Sequence, residues 1–197
     1  MMKLKNDTVR KIIIIVGVGL LVAAMVLLIV WQWNIRTAEQ NSKEYVRVIR
    51  ELIPDPQGAV PEERRDNTMA TLSVDGTDFV GLLEFPQYDS VLPVCDHWGK
   101  LVKYPCRFGG SVYDRTMKIG GTSQKGQYDF YREISVGDGV FFTDMEGNRF
   151  SYTVTDIRYD NKADPSAFKH KDSSLTLFIQ NIYAFEYIII YCDTMNG

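Results

Sequence analysis

Leu175-Thr176-Leu177-Phe178-Ile179-Gln180 is a short apolar run that follows a polar loop. Its β-branched and aromatic content predicts a strand. The run closes on Gln180, a carboxamide. Downstream, Phe185 to Tyr191 reads as a final strand, apolar enough to be central. Upstream, Gly139 to Asp144 and Arg149 to Val154 flank Met145-Glu146-Gly147-Asn148, a hairpin turn signal. Phe150, Tyr152 and Val154 alternate with polar residues, so that strand has one wet face. Phe79 to Phe85, ending at Pro86, and Ser90 to Val94 are further strands, with one short helical turn expected at Tyr128 to Glu133. From about Thr71 onward, many short strands separated by Gly- and Pro-containing turns predict an all-β barrel or sandwich. There is no internal repeat and no low-complexity tract.

The N-terminal third has a different character. Ile12 to Val30 carries no charge and no proline, and as a helix it spans about 28 Å, enough for a hydrocarbon core. Trp31 and Trp33 follow it, where an interfacial aromatic belt would lie, and no small-residue cleavage site is present. Lys3, Lys5, Arg10 and Lys11 precede the run against Asp7 alone, which keeps the N-terminus cytoplasmic and exports the rest. From Thr37 to Ile53, Ala38, Tyr45, Ile49, Leu52 and Ile53 share one helical face, with Glu39/Lys43 and Arg47/Glu51 pairs on the other. Pro54 ends this helix. The sequence thus divides into a cytoplasmic tail (1–11), a transmembrane anchor (12–33), a juxtamembrane helix (34–53), a linker (54–70) and an exported β domain (71–197).

The whole chain has a formal charge of −3, and removing the net +3 of the first eleven residues leaves about −6 beyond them. A mildly acidic surface without a basic patch argues against nucleic acid as a partner. Cys95, Cys106 and Cys192 are the three cysteines. An exported domain allows one disulfide, and Cys95 and Cys106 are close in sequence, but spacing does not give register. Three packed thiols are the favoured reading, because a core of this size needs no staple. Cys95 and His97 would share a strand face. They would stand about 7 Å apart with nothing to mark an oxyanion hole. His170 sits in the polar 160–174 loop and reads as a solvated surface residue. No metal site is expected: the histidines and cysteines lack ligand spacing, and Asp156, Asp160 and Asp164 lack the glycine and terminal glutamate of a calcium loop.

Taken in order, several pieces resemble a sortase. Leu175 to Gln180 matches the strand that delivers the nucleophile of that family, where a Thr-Cys pair closes the run. Asp78 to Glu84 resembles its first barrel strand. Leu92-Pro93-Val94, Trp98 and Pro105 to Ser111 resemble the segment leading to the active site, and Val136-Gly137-Asp138, Phe142-Thr143-Asp144 and Gly147-Asn148 the hairpin after the catalytic histidine. The likeness covers roughly Asp78 to Cys192. It implies an eight-stranded β-barrel with short helices and a groove on one side.

The same resemblance implies three catalytic positions. The cysteine position holds Gln180. The histidine position, after Ile119-Gly120-Gly121, holds Thr122, and the arginine position holds Tyr187; no arginine follows Arg158. Thiolate, imidazole and guanidinium are thus replaced by amide, alcohol and phenol, which points to a degenerate member of the family. Its groove would be lined by Thr122, Gln180, Tyr183, Glu186 and Tyr187, open to an extended peptide or partly filled by its own tyrosines. The implied partners are a sorting-signal-like peptide, a surface or pilin protein, or an active sortase, beside the membrane of a Gram-positive-type envelope. No cofactor is expected. The alternative is an active cysteine transpeptidase with shifted residues. The short 159–174 loop argues against subclasses with a helical insertion there.

Overall fold

The computed structural model describes residues 3–54, 67–160, 173–184 and 186–195. Most of the linker expected over 54–70, together with Asp164, His170 and most of the 159–174 loop, lies outside them. The chain divides into two compact units, Met1–Thr37 and Ala38–Gly197.

One helix, α1 (Lys3–Leu52), begins in the first unit and ends in the second. Nothing between the expected anchor and the expected juxtamembrane helix breaks it, since its first proline comes at Pro54. In the first unit, the stretch Val9–Trp33 is long and apolar enough to cross a membrane, and none of it is buried. It is a candidate single-pass anchor.

In the second unit, nine strands follow α1: β1 (Leu72–Val74), β2 (Thr77–Phe85), β3 (Ser90–Cys95), β4 (Cys106–Gly109), β5 (Met117–Thr122), β6 (Gly139–Asp144), β7 (Arg149–Asp160), β8 (Leu175–Asn181) and β9 (Glu186–Thr194). Their order is β1-β2-β3-β4-β5-β8-β9-β7-β6, and β6 pairs back onto β2. Strands β2 to β9 therefore form a closed eight-stranded barrel, which removes the open edges of the sheet. Strand β1 is an appendage on β2.

The interior follows from strand alternation. Met117 and Ile119 of β5, Leu175, Leu177 and Ile179 of β8, and Ile188, Ile190 and Cys192 of β9 all point inward and are fully buried. A second apolar cluster lies outside the barrel, where Val46 and Ile49 of α1 pack with Phe79, Leu82, Tyr104 and the Cys95–Cys106 pair. The buried face of this part of α1 runs through Ser42, Val46 and Ile49, with Tyr45 and Ile53 at its margin. Leu52, expected on that face, is instead 58% exposed, because it falls a quarter-turn off the stripe.

The β6–β7 hairpin turns at Gly147, whose φ of 86° suits glycine. The Asp144 carboxylate holds that turn. It accepts hydrogen bonds from the backbone N–H groups of Glu146 and Asn148 (both 2.9 Å), from Asn148 Nδ2 and from the Tyr113 hydroxyl. Tyr128 to Glu133, expected as a helical turn, is a run of tight turns closed by Tyr131 N–H to Tyr128 O and Glu133 N–H to Phe130 O.

Cys95 and Cys106 form a disulfide across the short parallel pairing of β3 with β4. The reading of three free thiols is therefore corrected. The two cysteines are opposite one another in register, a relation that their spacing did not reveal.

Candidate functional site

Three neighbouring strands build the site. Strand β5 pairs with β8 in parallel, placing Thr122 opposite Gln180. Strand β8 pairs with β9 antiparallel, placing Gln180 opposite Tyr187. Directly paired residues share a face, and residues 119, 179 and 188 all point into the core. Thr122, Gln180 and Tyr187 consequently form one row on the outer face of the barrel. The row continues onto β7 at Asp160.

The neighbouring row holds Gly120, Phe178, Ile189 and Arg158. The rings of Phe178 and Tyr187 stack at 5.0 Å, nearly parallel at 15°. Arg158, the last arginine of the chain, lies one row away and turns from Tyr187. Its Nε sits 3.1 Å from Asp156 Oδ2 and its guanidinium lies over the Tyr191 ring. Among the described residues, the row of Thr122, Gln180, Tyr187 and Asp160 holds no arginine.

Segment 96–105 forms the wall beside β5. The Trp98 ring lies against Gly120 so closely that a Cβ there would come within 3.0 Å of it, and Leu101 approaches the same spot. Trp98 also meets Phe108 edge to face at 4.9 Å. Gln127 ties this wall to the row. Its side-chain oxygen accepts the Thr122 backbone N–H at 2.9 Å, and its Nε2 donates to the carbonyls of Leu101 (3.0 Å) and Val102 (3.2 Å). Gln124 donates to Val102 O as well. The Thr122 hydroxyl is buried and has no hydrogen-bond partner among the described residues. A buried hydroxyl in that state is uncommon and asks for a polar atom beside it.

Tyr183 and Glu186 sit apart from the row. Tyr183 lies in the turn after β8, 66% exposed, its N–H donating to Asn181 Oδ1. Glu186 pairs with Asn181, so alternation directs it to the opposite face of the sheet from Tyr187. Asn181 itself is buried and donates to the Tyr131 hydroxyl at 2.9 Å. From sequence, Trp98 reads only as part of the segment leading to the active site, and Gln127 is not singled out. They arrive from other segments, and no local pattern marks them.

The thiols are also placed. Cys95 and Cys106 are joined, so the Cys95/His97 pair has no free sulfur. Cys192 points into the barrel, fully buried, and burial pushes its thiol well above the ordinary range. No group of three or more potential metal ligands occurs among the described residues.

Among solved structures, the chain is similar to sortase A from Corynebacterium diphtheriae (12% identity, TM-score 0.53, covering 83% of this chain and 85% of that one). It is similar to Clostridium perfringens sortase C with the C-terminal cell wall sorting motif (16%, TM-score 0.51, 61% and 72%). Listeria monocytogenes sortase A gives 17% identity and a TM-score of 0.50 over 60% and 88%. The barrel has the sortase fold. At these identities the likeness concerns the fold alone, and no family model and no curated protein matches the sequence. Within the sortase fold, the row Thr122–Gln180–Tyr187 presents an alcohol, an amide and a phenol side by side on the outer face.

Proposed function

We propose that this is a membrane-anchored, extracytoplasmic sortase-like protein that binds an extended, sorting-signal-like peptide and does not cut it. It would assist the assembly of surface or pilin proteins, alone or beside an active sortase. The observation that carries this reading is the register that brings Thr122, Gln180 and Tyr187 into one row. Residues matching three dispersed sequence motifs meet at one place, and none has the chemistry for thiol acyl transfer.

The state of the cysteines supports the same reading. An acyl-transfer nucleophile needs an accessible thiolate, whereas two sulfurs are bonded to each other and the third is buried. Binding chemistry is nevertheless present. The Gln180 carboxamide offers both a donor and an acceptor to a peptide unit, and the Phe178–Tyr187 stack offers an apolar platform. Trp98 fills the part of the groove over Gly120, leaving the Gln180–Tyr187 end for a ligand.

The orientation follows from the charged N-terminal flank, which leaves the barrel outside the cytoplasm. A photoreactive residue at Gln180, or separately at Tyr187, in the native membrane tests the proposal. Crosslinks to an uncleaved surface-protein segment are expected. Crosslinks to nothing at either position, with the chain folded, would defeat it.

A further inference from the structure

We infer that the outer side of the segment between Cys95 and Cys106 rests on the surface of an anionic phospholipid bilayer, with Trp98 and Val102 seated among the headgroups. The inference needs α1 to cross that bilayer. Trp98 also borders the row, so a peptide bound there is one of the occupants that the test separates from lipid.

The composition of the segment stands out. Between Cys95 and Cys106 it carries two lysines, Lys100 and Lys103, against one acid, Asp96, which is paired with Arg107 at 2.7 Å, in a domain whose overall charge is negative. Both lysines are exposed. Val102 is 75% exposed, the highest value of any large apolar residue in the second unit among the described residues, and Phe108 and Trp98 beside it are 49% and 39% exposed. An indole, an aliphatic tip and two lysines make up the chemistry of an interfacial anchor. The ring prefers the headgroup level, and each lysine near an anionic surface strengthens binding by about fivefold.

The shape of the segment is fixed before any contact. A disulfide closes its base across 11 residues. Backbone hydrogen bonds from Lys100 to His97, Leu101 to Trp98 and Lys103 to Lys100 fold its crest. Gln127 and Gln124 hold Leu101 and Val102 by their carbonyls, which leaves the Val102 side chain outward. Docking such a loop loses little conformational freedom.

The chain comes into this unit at Ala38. Ser42 and Lys43, just after that point, line one cleft together with Gly126 and Gln127, and Gln127 is the residue that grips the segment. A weak interfacial contact on a tethered domain is favoured by high effective concentration.

The test uses the full chain carrying Trp31→Phe and Trp33→Phe, which leaves Trp98 as its only indole. It is placed in nanodiscs of phosphatidylcholine with or without phosphatidylglycerol, using brominated acyl chains as quencher. With phosphatidylglycerol, Trp98 emission is expected to shift to the blue and to fall about twofold. Val102→Asp should abolish the quenching, and Lys100→Glu with Lys103→Glu should weaken it only in the anionic discs. Far-UV circular dichroism unchanged by these surface substitutions keeps the result interpretable. Trp98 open to iodide and untouched by bromolipid would overturn the proposal. So would protection of Trp98 that appears only with two copies per disc or only with added peptide, since a second copy or a peptide would then be the occupant.

Discussion

Thr122 stands directly opposite Gln180 in the parallel pairing of β5 with β8, on the outer face of the barrel. A side chain at position 180 therefore faces the groove rather than the core. Gln180→Cys should give a thiol that reacts with a maleimide in the folded chain, at least tenfold faster than buried Cys192 by the order of magnitude expected between a half-exposed and a buried sulfur. Equal, slow labelling of both would mean that the row is closed to solvent.

The two adjacent glycines of β5 face opposite ways. A Cβ on Gly121 would run into Tyr128, which is fully buried, whereas one on Gly120 would meet the outer end of half-exposed Trp98. Gly121→Ala should cost about 1–3 kcal/mol as an overpacked core. Gly120→Ala should cost less than about 1 kcal/mol, because Trp98 can move outward, and should alter Trp98 fluorescence. Denaturant unfolding of the two variants checks this, and equal losses would contradict the assignment of faces.

The disulfide is expected to stabilise the domain by about 3 kcal/mol, the size expected for closing a loop of this length. Unfolded without reductant, the chain should show one titratable thiol, Cys192, and three after reduction. Replacing both Cys95 and Cys106 by Ala should lower the melting temperature by several degrees. Three thiols before reduction would remove this bond.

Tyrosines give the alkaline limit. Burial, and a hydrogen bond to Asp138 at 2.5 Å, push Tyr88 up to about 12, and burial pushes Tyr128 and Tyr152 higher still. A phenol raised in the folded state contributes stability that is complete below its unfolded value near 10 and is lost as pH climbs toward the folded value. Circular dichroism should thus hold steady up to about pH 10 and then fall. Tyr88→Phe should make that fall shallower. An alkaline profile unchanged by Tyr88→Phe would contradict it.

Much of the barrel was legible in the sequence where residues alternate strongly. The hairpin around Gly147, the strand before Pro86 and the strand ending at Gln180 were all marked by β-branched runs between turn residues. Strands β4 and β5 were not, because they are short and carry Gly109, Gly120 and Gly121, which weaken any local strand signal. The row itself was legible only through the order of the motifs, since register between β5, β8 and β9 is a long-range property. Gln127, and the contact that Trp98 makes, escaped notice for the same reason: Gln127 bridges a loop and a strand end, and Trp98 packs on a glycine of a different strand. The disulfide lay beyond local spacing, as it depends on how β3 meets β4.

A peptide at Gln180 and Tyr187 is expected to be held without being acylated or cleaved. Incubating the full chain with an LPxTG-like peptide and recording the intact mass of both checks this. The expected result is an unmodified protein mass and an uncut peptide, under conditions where a photoreactive residue at position 180 captures that peptide. A thioacyl adduct mapped to Cys95, Cys106 or Cys192, or a cleaved peptide, would contradict it.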